Sequence, residues 1–282
     1  MPWKTITTFL VDGNPTWIKT IELSNWVGKA IQIPRAKLKD AKDRKEITQP
    51  AIYFLFWEDE EGNNRAYIWE AENLINRLSN HDTNKDFWSV VIAFISKDNN
   101  LTKADVKYLE AKSLERAKKS GRYFLENSIE PVINTLPEHQ IATMEEFLEN
   151  IDLLISAIGF PILKNFETKA LEKSETIYYL NARWSDARGI YTEDGFIVLN
   201  QSKFSKDYTT SFDWTWVHQQ RWRIQRDWDL FDTQNCILKQ DILFTSSSTA
   251  ASIVAWNALN WWIVWKTKDW KTLDEIERRN LK

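Results

Sequence analysis

Two aromatic-aliphatic runs separated by a short acidic segment constrain the first half of this chain more than any other feature. Ile52 to Trp57 (IYFLFW) and Arg65 to Trp69 (RAYIW) have the length and the β-branched or aromatic content of strands. Glu58 to Asn64 between them carries the Gly and Asn of a hairpin connection. Glu70 to Asn80 then turns to helical spacing, so the expectation is a hairpin feeding a helix.

Upstream, Thr5 to Val11 and Trp17 to Leu23 read as two short strands around Asp12-Gly13-Asn14-Pro15, and Ala36 to Glu46 as a charged helix or linker. Downstream, Asp86 to Ser96 (DFWSVVIAFIS) is a near-continuous apolar run bounded by polar clusters, the pattern of a buried central strand. Thr102 and Asp105 stand at the cap and capping-box positions of a helix running to about Ser120, and Gly121 is its expected stop. A further helix is expected from about Thr143 to Ala157, with a boundary at Pro161 and the polar stretch Lys164 to Glu175. Beyond it, Thr176 to Ala182 and Gly189 to Leu199 alternate like strands around Glu193-Asp194-Gly195, and Lys206 to Trp228 is polar with scattered aromatics. Ser246 to Thr249 caps a helix from Ala250 to Leu259, and a hairpin around Asp269-Trp270 precedes a terminal helix, Leu273 to Leu281.

The 282 residues suggest roughly two domains at about 150 residues each. No apolar run reaches the roughly 18 residues a membrane span needs, and MPWKTITTFLVDG lacks the parts of a signal peptide, so a cytoplasmic protein with no membrane partner is expected. One cysteine, Cys236, excludes an internal disulfide, and three histidines argue against structural zinc. A net charge of -3 argues against a protein that coats DNA. Locally, though, Lys103 to Arg122 holds seven basic residues against three acidic ones, and His218 to Arg226 reads HQQRWRIQR. Both are either phosphate-tracking patches or solvated faces.

Tryptophan is in excess. Sixteen Trp against seven Gly inverts ordinary usage, in which glycine alone is about 7% of residues. Asn25-Trp26, Asp213-Trp214, Asp227-Trp228, Asn260-Trp261 and Asp269-Trp270 would be ordinary turn dipeptides with Gly in second place, because Gly alone accepts positive φ cheaply. We expect many of these tryptophans, Trp69, Trp184, Trp256 and Trp270 among them, to stand where the working protein has glycine. A UGA codon read as glycine in its own lineage and as tryptophan here would produce that pattern. Trp88, Trp262 and Trp265 lie in apolar runs and read as true tryptophans; the alternative for the rest is a Trp-rich surface for stacking on bases or sugars.

Helical spacing sorts the polar residues. Leu74, Ile75 and Leu78 form an apolar stripe, while Asn73, Arg77 and His81 recur on another face. In the next helix Val106, Leu109, Ser113 and Ala117 share a stripe, and Glu110 lies inside it, whereas Glu115 points away. A carboxylate on a core-facing line requires a cationic side chain, a metal or a strong hydrogen-bond set.

The ordered set Ile52-Tyr53, Tyr67-Ile68, Arg77, Glu110 and Asn127 (in FLENS) resembles the GIY-YIG nuclease domain over about residues 48 to 130. Both signatures lack their glycine here, with Ala51 before Ile52 and Trp69 after Ile68. The resemblance implies an α/β fold of the α+β type, a small antiparallel sheet flanked by helices, and a metal-dependent DNA endonuclease. It implies that Glu110 holds one Mg²⁺ or Mn²⁺ on the scissile phosphate and that Arg77 stabilises the developing negative charge. Tyr67 or Tyr53 would relay the proton, His81 would be a possible second base, and Asn127 would match the family's late asparagine. The pattern FTSSSTAASIVAWNALNWWIVWKTKDWKTLDE resembles a C-terminal domain of unknown function that often accompanies GIY-YIG-type domains. The organisation expected is an N-terminal extension (1–47), the GIY-YIG-like domain (48–130), a helical connector (131–163) and a C-terminal α+β domain (176–282). DNA is the implied partner, in repair or restriction, and no signal sets the oligomeric state. The rival reading is a catalytically inert nucleic-acid-binding or interaction module, which gains if Trp69 is real, because its indole would crowd the cleft.

Overall fold

Every residue from Ala51 to Trp57 is buried, which is why that run is apolar without a break: the strand is covered on both faces. In the computed structural model, which describes residues 3–59, 64–84, 87–127, 135–164, 176–207, 216–226, 228, 230–257 and 261–278, it lies inside a seven-stranded sheet. The strands are β1 (Ile6–Leu10), β2 (Lys19–Leu23), β3 (Gly28–Pro34), β4 (Ala51–Glu58), β5 (Asn64–Ala71), β6 (Val90–Ser96) and β7 (Phe124–Leu125). Their order is β1-β2-β3-β6-β4-β5-β7. Neighbours pair antiparallel except β5 and β7, which run parallel.

Period-two alternation divides the sheet's side chains between two cores. Ile52, Phe54, Phe56, Ala66 and Ile68 pack with Val106 and Leu109 of helix α3 (Lys103–Ser120) and Phe147 and Ile151 of α4 (Glu138–Ala157). Tyr53, Leu55, Trp57 and Tyr67 pack on the other face with Leu38 and Ala41 of the one-turn α1 (Leu38–Ala41) and with Leu74 and Leu78 of α2 (Leu74–Asn84). The start and stop of α3 follow from local chemistry. Thr102 accepts from the Asp105 amide, the Asp105 carboxylate accepts from the Thr102 amide, and Gly121 closes the helix in the left-handed region. Such a cap contributes about 1 kcal/mol.

Several expectations shift. The sheet is larger than expected, because residues 1–47, read as an extension, supply three of its strands, including the unforeseen β3. Ala36 to Glu46 is broken into short turns around α1, and β5 continues through Glu70 to Ala71, so the helix after it begins only at Leu74. Helix α4 begins at Glu138, directly after Pro137, five residues before the expected start. The tip of the β4–β5 hairpin and most of the stretch Lys164 to Glu175 lie outside the described residues.

The chain divides into two compact units, Met1–Asn165 and Phe166–Lys282. In the second, β8 (Ile177–Ala182), β9 (Ser185–Thr192), β10 (Gly195–Val198) and β13 (Ile242–Phe244) form an antiparallel sheet in the order β13-β10-β9-β8, and β11 (Phe231–Asp232) pairs with β12 (Ile237–Leu238). Its core also takes residues from α5 (Trp216–Arg226) and α6 (Ser247–Ala255), the latter capped by Ser246. Of the expected terminal helix, Asp274–Arg278 is helical, and residues 279–282 lie outside the described residues. The chain is a mixed α+β protein, and no helix among the described residues is long and apolar enough to cross a membrane.

Trp184, Trp256 and Trp270 adopt positive φ of 68°, 51° and 64°. Trp26 does not: its neighbour Asn25 takes the left-handed conformation, and the Trp26 ring is buried against Phe147 (4.8 Å between centroids), in space that a side chain at Gly28 would fill. Trp69 is ordinary strand and Trp261 opens a short helix, so neither has a backbone that demands glycine. Trp214, Asp227 and Asn260 lie outside the described residues. Trp88 and Trp265 are core residues, and the Trp265 indole donates to the Ser247 carbonyl at 3.1 Å.

Candidate active site

Adjacent antiparallel strands bring the two signature tyrosines together. Tyr53 faces Trp69 and Leu55 faces Tyr67 across the β4–β5 pair, which puts Tyr53 and Tyr67 diagonal to each other on one face. Arg77 arrives on that face from the first turn of α2 and donates hydrogen bonds to both phenol oxygens. Burial disfavours the Arg77 cation, but the two tyrosines outweigh it and hold its pKa above the ordinary value. Its Nε is buried with no partner among the described residues. Burial also raises both phenols, against the pull of Arg77, so at neutral pH each stays protonated. They serve as hydrogen-bonding groups, and neither is a ready base.

Glu110 sits where helical spacing placed it, on the buried face of α3, at 4% exposure. Among the described residues it has no hydrogen bond and no ion pair. Loss of hydration on this buried face is the largest cause that pushes its pKa up to about 7; the charge of Glu70 adds to the rise, and Lys107 and Arg77 oppose it. Its charge also reaches Tyr53 and Tyr67, raising both further. Glu115, by contrast, is exposed and paired with Lys119 at 2.7 Å.

Asn127 does something the sequence did not suggest. Its amide oxygen accepts from Ile68 N–H at 3.1 Å and its amide nitrogen donates to Ile68 C=O at 2.6 Å. The β5–β7 ladder runs through Arg65, Ala66 and the Glu126 amide, and the Asn127 side chain then takes the place of the next peptide. It therefore fixes the strand between Tyr67 and Trp69 without facing the reacting groups. His81 lies on α2, four residues after Arg77, but its side chain falls outside the described residues.

Trp69 occupies the remaining space. Its ring stacks on Tyr67 (5.5 Å, 4° between planes) and lies 5.5 Å from the Arg77 guanidinium. Sequence reasoning missed Glu70, the residue that follows the second signature; the signal was a carboxylate ending an apolar strand, on the face opposite Tyr67 and Trp69.

No group of three or more potential metal ligands exists among the described residues. A single buried carboxylate still suits Mg²⁺ or Mn²⁺, which fill their other positions with water and phosphate oxygens. The second basic patch is only partly available. Arg221 is fully buried in α5, donating to the Ser205 and Ile253 carbonyls, with Phe204 and Phe231 rings 4.4 and 4.8 Å away, and burial lowers its pKa to about 9.

The first unit therefore holds a Tyr–Tyr–Arg cluster on one face of a mainly antiparallel sheet and, on the helix α3 that packs against the other face, a buried glutamate with no hydrogen bond or ion pair among the described residues. For the second unit, residues 178–277 match the family described as a domain of unknown function (DUF4357), which meets the expectation for the C-terminal part. No GIY-YIG family model matches the first unit, so the resemblance there rests on the residues themselves. No curated protein and no solved structure matches the chain.

Proposed function

We propose that the first unit carries a GIY-YIG-type nuclease domain, followed by a separate C-terminal domain, and that it hydrolyses DNA phosphodiester bonds with Mg²⁺ or Mn²⁺. The observation that carries this reading is Glu110: a carboxylate 4% exposed and with no hydrogen bond or ion pair among the described residues is costly unless a cation completes it. A divalent ion held there would neutralise charge on the scissile phosphate and lower the pKa of a bound water. The chain's own groups supply the rest. Arg77, already charged and held between Tyr53 and Tyr67, offers its guanidinium to the phosphoryl oxygens as negative charge grows on them. The phenols hold that guanidinium in one orientation and pass hydrogen bonds to the attacking or leaving oxygen. Asn127 keeps Tyr67 in place through the backbone of Ile68.

The test is nicking of supercoiled plasmid. Cutting that needs Mg²⁺ and disappears in Arg77→Ala and Glu110→Ala supports the reading; equal cutting in both variants rejects the site.

One observation favours the rival, an inert nucleic-acid-binding or interaction module: the Trp69 ring lies against both Tyr67 and Arg77. Trp69→Gly separates the two. Under the nuclease reading it raises the cutting rate at least several-fold. No cutting in either protein, with DNA binding intact, selects the module.

A further inference from the structure

Glu110 does not stand alone. Strand β5 runs on to Ala71, and alternation puts Glu70 on the same face as Ala66 and Ile68, which pack against Val106 and Leu109 of α3. Just past this row the exposed Glu72 forms an ion pair with Lys103 in the first turn of α3. From Lys103, Lys107 and Glu110 follow at i+4 and i+7 along one line of the helix. Glu70, one pleat back from Glu72, is half-buried, and like Glu110 it has no hydrogen bond or ion pair among the described residues. It is near enough for its charge to act on Glu110.

We propose that Glu70 is the second carboxylate of the cation site, contributing an oxygen to the same divalent ion as Glu110. The inference rests on the cation role of Glu110 given above. Two carboxylates carried on the facing sides of β5 and α3, with no bonded counter-ion among the described residues, repel each other, and a divalent ion turns that repulsion into binding.

The experiment is Mn²⁺ titration of the full chain, following free Mn²⁺ by electron paramagnetic resonance, in the parent, Glu70→Gln, Glu110→Gln and Glu72→Gln. The expected result is one ion in the parent, none in Glu110→Gln, affinity weakened roughly tenfold or more in Glu70→Gln, and little change in Glu72→Gln. Parent-like affinity in Glu70→Gln, with binding lost in Glu110→Gln, overturns the role of Glu70 alone. Unchanged affinity in Glu110→Gln overturns the underlying cation site. Glutamine keeps the shape and removes the charge, and circular dichroism of each variant verifies its fold.

A different observation carries a second inference. Arg183 and Trp184, at φ 48° and 68°, are the two residues linking β8 to β9, between the paired Ala182 and Ser185. That is the turn for which Asn-Gly is preferred. Trp256 closes α6 in the left-handed position, donating its N–H to Ser252, where glycine is usual. Trp270 follows a turn closed by its N–H to Thr267 C=O at 3.0 Å, the left-handed place of a three-residue hairpin loop. We infer that these three residues are glycine in the protein its own cell makes. Peptide mass spectrometry of the protein purified from its source cells, read beside the gene, decides it. Glycine masses over UGA codons are expected at 184, 256 and 270; tryptophan masses or UGG codons there overturn it.

Discussion

Replacing Trp270 by glycine stabilises the second unit, and replacing it by alanine does not. The indole is 78% exposed, and its one ring contact is the Lys266 ammonium at 5.2 Å. An exposed cation–π pair of that kind contributes about 0.5 kcal/mol. The left-handed backbone costs a side-chain-bearing residue about 1–2 kcal/mol, which glycine escapes and alanine does not. Glycine's greater freedom in the unfolded chain returns about 0.4–1 kcal/mol of that gain. The net gain for Trp270→Gly is therefore small, about 0.5 kcal/mol, but its advantage over Trp270→Ala is about 1 kcal/mol. Trp184, 82% exposed, repeats the argument without a ring contact to lose, so the double glycine variant gains about 1 kcal/mol and a few degrees in Tm. Trp256 is the counter-example. At 6% exposure it packs beside Arg221, and truncating so large a buried ring costs about 3–5 kcal/mol, more than the relief. Urea unfolding of the full chain followed by circular dichroism measures the glycine and alanine variants at 184 and 270, the double glycine variant and Trp256→Gly. Equal stability of the glycine and alanine variants at 184 and 270 would overturn this assignment of strain.

Glu110 gives a pH prediction whose sign is opposite to that of a salt-bridged acid. Its folded pKa of about 7 exceeds the ordinary 4.5, so between those values the folded state holds a proton that the unfolded state has lost. Stability attributable to this group therefore falls as pH rises from about 4.5 to about 7. Glu110→Gln melts higher than the parent at pH 8 and like it near pH 4, and Mg²⁺ raises the Tm of the parent alone; thermal scans at the two pH values, with and without Mg²⁺, read both effects. Asn127→Ala leaves the Ile68 N–H and C=O without their partner and lowers unfolding stability by about 2 kcal/mol, which urea titration measures. Asn127→Asp, keeping the acceptor and losing the donor, falls between the two.

How much was legible depended on how local the causes were. The limits of α3 are written in three residues, Thr102, Asp105 and Gly121, and the burial of Glu110 follows from its angular place among Val106, Leu109 and Ser113. The hairpin of β4 and β5 was readable because each strand carries an unbroken apolar run, Ala51 to Trp57 and Ala66 to Trp69. Strand β3 was not, since GKAIQIP carries Gly, Lys, Gln and Pro, and its extended form comes from pairing with β2 and β6. Trp26 misled because Asn25 takes the left-handed conformation itself, leaving the indole free to enter the core. Arg221 misled more deeply: HQQRWRIQR looks solvated, but rings from Phe204 and Phe231, on separate segments, enclose it. Asn127 was found for its identity, whereas its double bond to the Ile68 backbone depends on where β7 ends beside β5, which no local pattern states.

Under the proposed function the Glu110 carboxylate receives a divalent cation rather than a lysine or arginine. Crystals of the full chain soaked in Mn²⁺, with diffraction recorded for the manganese anomalous signal, test this directly. One anomalous peak is expected ~2–2.5 Å from a Glu110 carboxylate oxygen, on the side facing Glu70. A Glu110 carboxylate bonded instead to the Lys107 ammonium, with no manganese beside it, would contradict it.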